Sequence, residues 1–83
     1  MVKPRERVQV CGQIVAVREG QTGSARGFQA DISDGTGQVT CTWIGRTRVP
    51  GVTQGVRVRV WGRATSTGES LVIFNPVYAL QAA

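Results

Sequence analysis

Val56-Arg57-Val58-Arg59-Val60-Trp61-Gly62-Arg63 alternates a small apolar residue with arginine or tryptophan at every step. A strand turns successive side chains to opposite faces, so Val56, Val58, Val60 and Gly62 fall on one face and Arg57, Arg59, Trp61 and Arg63 on the other. The stretch predicts a strand with an apolar face in a core and a basic face turned outward. Upstream, residues 38–44 repeat the pattern with Val39, Cys41 and Trp43 against Thr40, Thr42 and Ile44. Residues 28–33 set Phe28, Ala30 and Ile32 against Gln29, Asp31 and Ser33. Asp34-Gly35-Thr36-Gly37 joins these two as a tight hairpin turn, its glycines free to take positive φ.

The first strand is read over 7–17, with Val8, Val10, Gly12 and Ile14 on one face. Gly12, and the slip that makes both Val15 and Val17 apolar, predict a bend or bulge that lets one strand serve both halves of a barrel. Residues 19–27 and Thr65 to Ser70 have turn composition and are expected as loops. Residues 45–55 are too short and broken for a helix beyond one 3₁₀ turn, and Val49 and Val52 are expected to close that end of the core. A fifth strand at 71–74 is interrupted by Asn75-Pro76 and resumes over 77–80. Residues 1–6 are read as a loose leader, 7–80 as one domain and 81–83 as a frayed tail. Five short strands, the first long and bent, predict an all-β barrel rather than a seven-stranded sandwich.

Composition agrees with strands. Of 83 residues, 41% are hydrophobic and 11 are glycine. Valine dominates the apolar set, while leucine occurs only at Leu71 and Leu80. One domain of modest core is all this length allows. Ten Lys and Arg face five Asp and Glu, a net charge of +5, and Lys3 is the only lysine. Arginine grips phosphate through a planar fork and stacks on bases, so the excess points to an anionic partner. From Thr36 to Gly68 the chain carries Arg46, Arg48, Arg57, Arg59 and Arg63 and no acid.

The two cysteines, Cys11 and Cys41, lack a CxxC partner, and the chain has no histidine, which argues against a metal centre. Spacing leaves a disulfide between them open, and buried free thiols are the preferred expectation. No carboxylate pair, phosphate-cradling loop or nucleophile elbow is legible, so neither catalysis nor a cofactor is expected. No apolar run approaches the roughly 20 residues of a bilayer-spanning helix. The start of the chain lacks the apolar stretch of a signal peptide, and a cytoplasmic protein is expected.

Val8-Gln-Val-Cys-Gly12, Asp34-Gly-Thr-Gly37, Gly55-Val-Arg-Val-Arg-Val-Trp-Gly62 and Phe74-Asn-Pro-Val-Tyr78 together resemble the OB-fold family in its bacterial nucleic-acid-binding branch. The resemblance spans Val8 to Leu80. Its last segment looks like the Asn-Pro-x-Tyr ending of anticodon-binding-type OB domains and of helicase wedge domains. Trp43-Ile-Gly-Arg-Thr-Arg48 resembles a run in short stand-alone OB proteins of actinobacteria. The resemblance implies a five-stranded Greek-key barrel in which the usual helix between strands three and four has shrunk to a turn.

It also implies non-catalytic binding of single-stranded DNA or RNA across strands two and three. Arg18 and Arg26 would frame that surface on one side and Thr65, Ser66 and Thr67 on the other. Gln29, Asp31, Thr40 and Thr42 would face outward upon it. Trp43 is either a stacking platform or, by alternation with Val39 and Cys41, core. Arg57, Arg59 and Arg63 around an outward Trp61 make the best basic–aromatic cluster in the chain, yet on the side away from the usual ligand surface; it is either a stacking-plus-phosphate site or an indole shielding the edge of the first strand among solvated arginines. Arg46 and Arg48 are loop cations, either ligand contacts or merely solvated. The competing expectation is a protein-docking module anchored by Trp61, Val72 and Phe74, with a protein partner or a weak homodimer, and no small-molecule substrate or membrane in either case.

Overall fold

The alternation of the opening stretch is realised in β4 (Arg57–Thr67). In the computed structural model, which describes residues 6–22, 25–67 and 70–81, Val58, Val60 and Ala64 are buried while Arg57, Arg59, Trp61 and Arg63 are exposed. The other strands are β1 (Glu6–Thr22), β2 (Ala25–Ser33), β3 (Gln38–Ile44), β5 (Ser70–Phe74) and β6 (Val77–Leu80). Of the leader expected over 1–6, Glu6 belongs to β1, and residues 1–5, 23–24, 68–69 and 82–83 lie outside the described residues.

The strands run β1-β2-β3-β5-β4, and β4 pairs back onto β1, closing a ring of five. Every pairing is antiparallel except β3–β5, which is parallel in the register Val39↔Leu71 to Thr42↔Phe74. That pairing leaves no free edge between the third and fifth strands. β6 continues β5 beyond a break and pairs only with β4, from Val58↔Leu80 to Trp61↔Val77. The chain is thus all-β with a barrel-like closed sheet, and no helix among the described residues is long and apolar enough to cross a membrane.

One strand serves both halves of the ring, as Gly12 and the slipped alternation predicted. Glu6 to Gln13 pair with β4, Gln13 to Thr22 pair with β2, and the register shifts between Ile14 and Ala16. Val15 is the extra residue of this bulge, which bends the strand. At the bend a Cβ on Gly12 would collide with the Ser33 carbonyl oxygen and lie 2.8 Å from its carbon. Only glycine lets β1 approach β2 so closely.

The core is made by the predicted inward faces, Ile14, Phe28, Ala30, Ile32, Val39, Cys41, Trp43, Val58 and Val60 among them. Val49 and Val52, 2% and 3% exposed, close the end between β3 and β4. A single i→i+3 turn holds them there, with the Val52 N–H donating to the Val49 carbonyl. Each such side chain, fully buried, contributes roughly 1.5–3 kcal/mol.

Three expectations are corrected. Residues 19–22 and 25–27 are not a loop but the arms of a two-stranded ribbon, paired from Glu19↔Phe28 to Thr22↔Ala25. A ladder needs only backbone N–H and C=O groups, so turn-type composition does not forbid it, and Gly20 opposite Gly27 adds no side-chain crowding. Likewise β4 and β5 extend to Thr67↔Ser70, where a loop was expected from Thr65. Cys11 is exposed and only Cys41 is buried, because Cys11 falls on the outward face opposite Arg59.

Candidate functional site

The residues singled out in the sequence separate into two groups on different parts of the ring. The first lies on the outward face of β1, β2 and β3. Arg18 on β1 donates to both carboxylate oxygens of Asp31 on β2, at 2.7 and 3.3 Å. Thr40 on β3 donates its hydroxyl to the same carboxylate at 2.8 Å. Burial alone pushes the Asp31 carboxyl up, but the hydrogen bonds from Arg18 and Thr40 outweigh it and hold the group below its ordinary value. This is the one ion pair among the described residues. It leaves Arg18 with a resident counter-ion.

Gln29 donates to the Thr42 hydroxyl at 3.4 Å, and Thr42 itself is 2% exposed. Thr42 sits between Gln29 on β2 and Phe74 on β5, and the Asn75 N–H donates to its carbonyl at 2.7 Å. Its place on the outward face therefore does not make it accessible, contrary to the expectation for this residue. Arg26 is exposed on the ribbon, and Ser66 is exposed near the end of β4. The Thr67 side chain lies outside the described residues.

Trp43 is core, not a platform. It is 5% exposed, tilted against Phe28 with ring centroids 6.3 Å apart, and edge-on to Tyr78 at 5.8 Å. Its indole N–H donates to the Pro76 carbonyl at 3.1 Å. This explains Asn75-Pro76 physically. Asn75 takes φ +49°, a left-handed conformation that asparagine tolerates, and its side-chain oxygen accepts the Ile44 N–H at 2.9 Å. The break between β5 and β6 is thereby laced to the end of β3. Arg46 lines a shallow depression beside Trp43, Pro76 and Tyr78, and Arg48 is exposed in the same loop.

The second group lies on the outward face of β4 and its neighbours. Arg57, Arg59, Trp61 and Arg63 point outward along β4, and none of these arginines has an ion pair among the described residues. The register adds partners the sequence reading did not assign. Arg7 on β1 lies opposite Arg63, and Gln9 lies opposite Trp61. On the other side of Trp61 stands Val77 of β6. Phe74 closes the set at the end of β5, named beforehand only as a docking anchor. A groove of about 640 Å³ is lined by Arg7, Gln9, Trp61, Arg63, Phe74 and Val77 among others. Trp61 is 37% exposed, Phe74 40% and Val77 65%.

Arg7 was hidden by its position next to the polar leader. The alternation of Arg7, Gln9, Cys11 and Gln13 against Val8, Val10, Gly12 and Ile14 was the signal that places it outward. Phe74 was hidden in an all-apolar run, whose faces only the pairing Ala64↔Ile73 resolves.

Among the described residues no cluster of three or more His, Cys, Asp or Glu is placed to hold a metal ion. Burial, and secondarily the charge of Asp31, pushes the Cys41 thiol up to about 12, so it is a poor nucleophile. Set against known proteins, the chain matches no family model and no curated sequence.

Proposed function

We propose that the chain is an OB-fold domain that binds single-stranded nucleic acid without catalysis, in a cytoplasmic setting. The fold part of this reading is supported by the strand order, the parallel β3–β5 pair and the bent β1 shared by both halves of the ring. The binding part rests on one observation above all. Arg57, Arg59 and Arg63 on β4, with Arg7 beside them, form a basic face with no resident carboxylate among the described residues.

Residues two apart on a strand repeat about every 6.6 Å, so the ladder offers successive cations to an extended phosphate backbone. The arginine fork suits each phosphate oxygen pair. The face on β2–β3, by contrast, spends Arg18 and the Thr40 hydroxyl on Asp31 and the Gln29 amide on the Thr42 hydroxyl. The β4 face is therefore the main path of the strand, with Arg18, Arg26 and Gln29 at most a secondary one. A protein-docking reading has the exposed Trp61, Phe74 and Val77 in its favour. The uncompensated arginines around them favour a polyanion.

Titration of a labelled oligonucleotide at several salt concentrations tests this, with DNA and RNA run in parallel. Each engaged arginine contributes about −0.7 to the slope of log affinity against log salt, so four give roughly −3. Arg57→Glu with Arg59→Glu lowers affinity and flattens the slope; Arg18→Glu with Arg26→Glu does much less. A flat salt response in the wild type, or no binding at low salt, overturns the proposal.

A further inference from the structure

Across the groove, the pairings set two rows of side chains side by side. Arg7 and Arg63 form one row over β1 and β4, and Gln9, Trp61 and Val77 form the next over β1, β4 and β6, with Phe74 at the end of β5 lining the same groove. The first row places two arginines directly opposite each other on an antiparallel pair. Like charges so placed destabilise a sheet. Neither arginine has an ion pair among the described side chains. An anion between the two guanidinium groups would turn that repulsion into two forked contacts.

The second row, with Phe74 beside it, supplies what a bare anion does not need. Trp61 and Phe74, both more than a third exposed, flank the groove as aromatic walls. Gln9 offers one donor group and one acceptor on the side chain facing Trp61 across the strands. Gly62 makes the groove possible. A Cβ there would lie 2.9 Å from Ile73 and 3.4 Å from Pro76, so only glycine lets the β5–β6 junction approach β4 this closely.

We infer that this groove is a nucleotide subsite, with a phosphate held between Arg7 and Arg63 and its base stacked on Trp61 and Phe74. The inference rests on the nucleic-acid reading above and deepens it. It fixes where, along the basic face, a base rather than only the backbone is engaged. Stacking tolerates any base, so the subsite confers affinity with little sequence preference. The occupant is a nucleotide rather than an acidic peptide because the aromatic Trp61 stands two residues along the same face of β4 from the paired-arginine phosphate site.

The test uses the full chain and three probes of equal charge: a deoxythymidine oligonucleotide, an abasic oligonucleotide of the same length, and an acidic peptide. Tryptophan emission is the readout, since Trp61 is exposed and Trp43 is buried. The thymidine probe should bind roughly 5- to 150-fold more tightly than the abasic one and quench emission, as the stacking of one base predicts. Trp61→Ala should bring the two probes to equal affinity and remove the quenching, while Trp61→Phe restores the preference. Phe74→Ala should reduce it as well, which covers the case of one variant misfolding; circular dichroism checks each. Arg7→Gln or Arg63→Gln should weaken both oligonucleotides alike.

Equal binding of thymidine and abasic probes by the wild type overturns the subsite but leaves the nucleic-acid reading standing. Binding of neither at low salt overturns both. Tighter binding of the acidic peptide, lost in Trp61→Ala, overturns the subsite in favour of a protein partner.

Discussion

Replacing Trp43 by phenylalanine separates a core role from a ligand role. The change keeps an aromatic ring against Phe28 and Tyr78 but removes the indole N–H that reaches the Pro76 carbonyl at 3.1 Å. That carbonyl is in a buried residue, and leaving it without a partner costs about 1–3 kcal/mol. The lost part of the indole, about three heavy atoms at a site only 5% exposed, adds roughly 1–2 kcal/mol through lost burial and a small cavity. The expected loss is therefore about 2–5 kcal/mol. A domain this size has a stability of about 4–12 kcal/mol, so the variant still folds in native buffer unless the wild type is marginal. Urea unfolding followed by far-ultraviolet circular dichroism measures it. With a slope of about 1 kcal/mol/M, the midpoint falls by about 2 M or more. Oligonucleotide affinity per folded molecule should not change. A midpoint shift under about 0.5 M, or a loss of affinity with stability intact, refutes the placement of Trp43 in the core.

Other consequences are independent of Trp43. Asp31 is held below its ordinary value of 3.8, so its contribution to stability is present above that pH and is lost as pH falls through the lower folded value. Asp31→Asn should flatten this part of the acid limb by under about 1 kcal/mol, since Arg18 is 46% exposed; an acid limb identical to wild type between about pH 6 and pH 3 would count against the pair. In native protein a thiol reagent near neutral pH should modify Cys11 and spare Cys41, whose thiol burial pushes up to about 12; equal labelling rates would contradict the placement of the two strands' faces. Gly12→Ala should cost about 1–3 kcal/mol in thermal or urea unfolding because the added methyl meets the Ser33 carbonyl, and a neutral effect would show that β1 does not approach β2 at its bend.

Alternation fixed by residue type was legible at once. Val58 and Val60 in, Arg57, Arg59 and Trp61 out, Gly12 at a bend, Asp34 in a turn that takes three hydrogen bonds on its carboxylate, and Val49 and Val52 as a plug all follow from local chemistry. The ribbon arms at 19–22 and 25–27 were not legible, because backbone pairing of polar and glycine residues leaves no apolar signature. Of the candidate site, the arginine ladder around Trp61 was readable from one strand alone. Its completion was not. Whether Trp43 faces core or ligand depends on Pro76, thirty-three residues away, offering a carbonyl to its N–H. Whether Arg18 is free depends on Asp31 arriving from the next strand. Arg7 meets Arg63, and Phe74 joins Trp61, only through the β1–β4 and β4–β5 registers. A sequence declares which face each side chain takes; which side chains then share that face is a property of strand pairing, and pairing is set by closure of the whole ring.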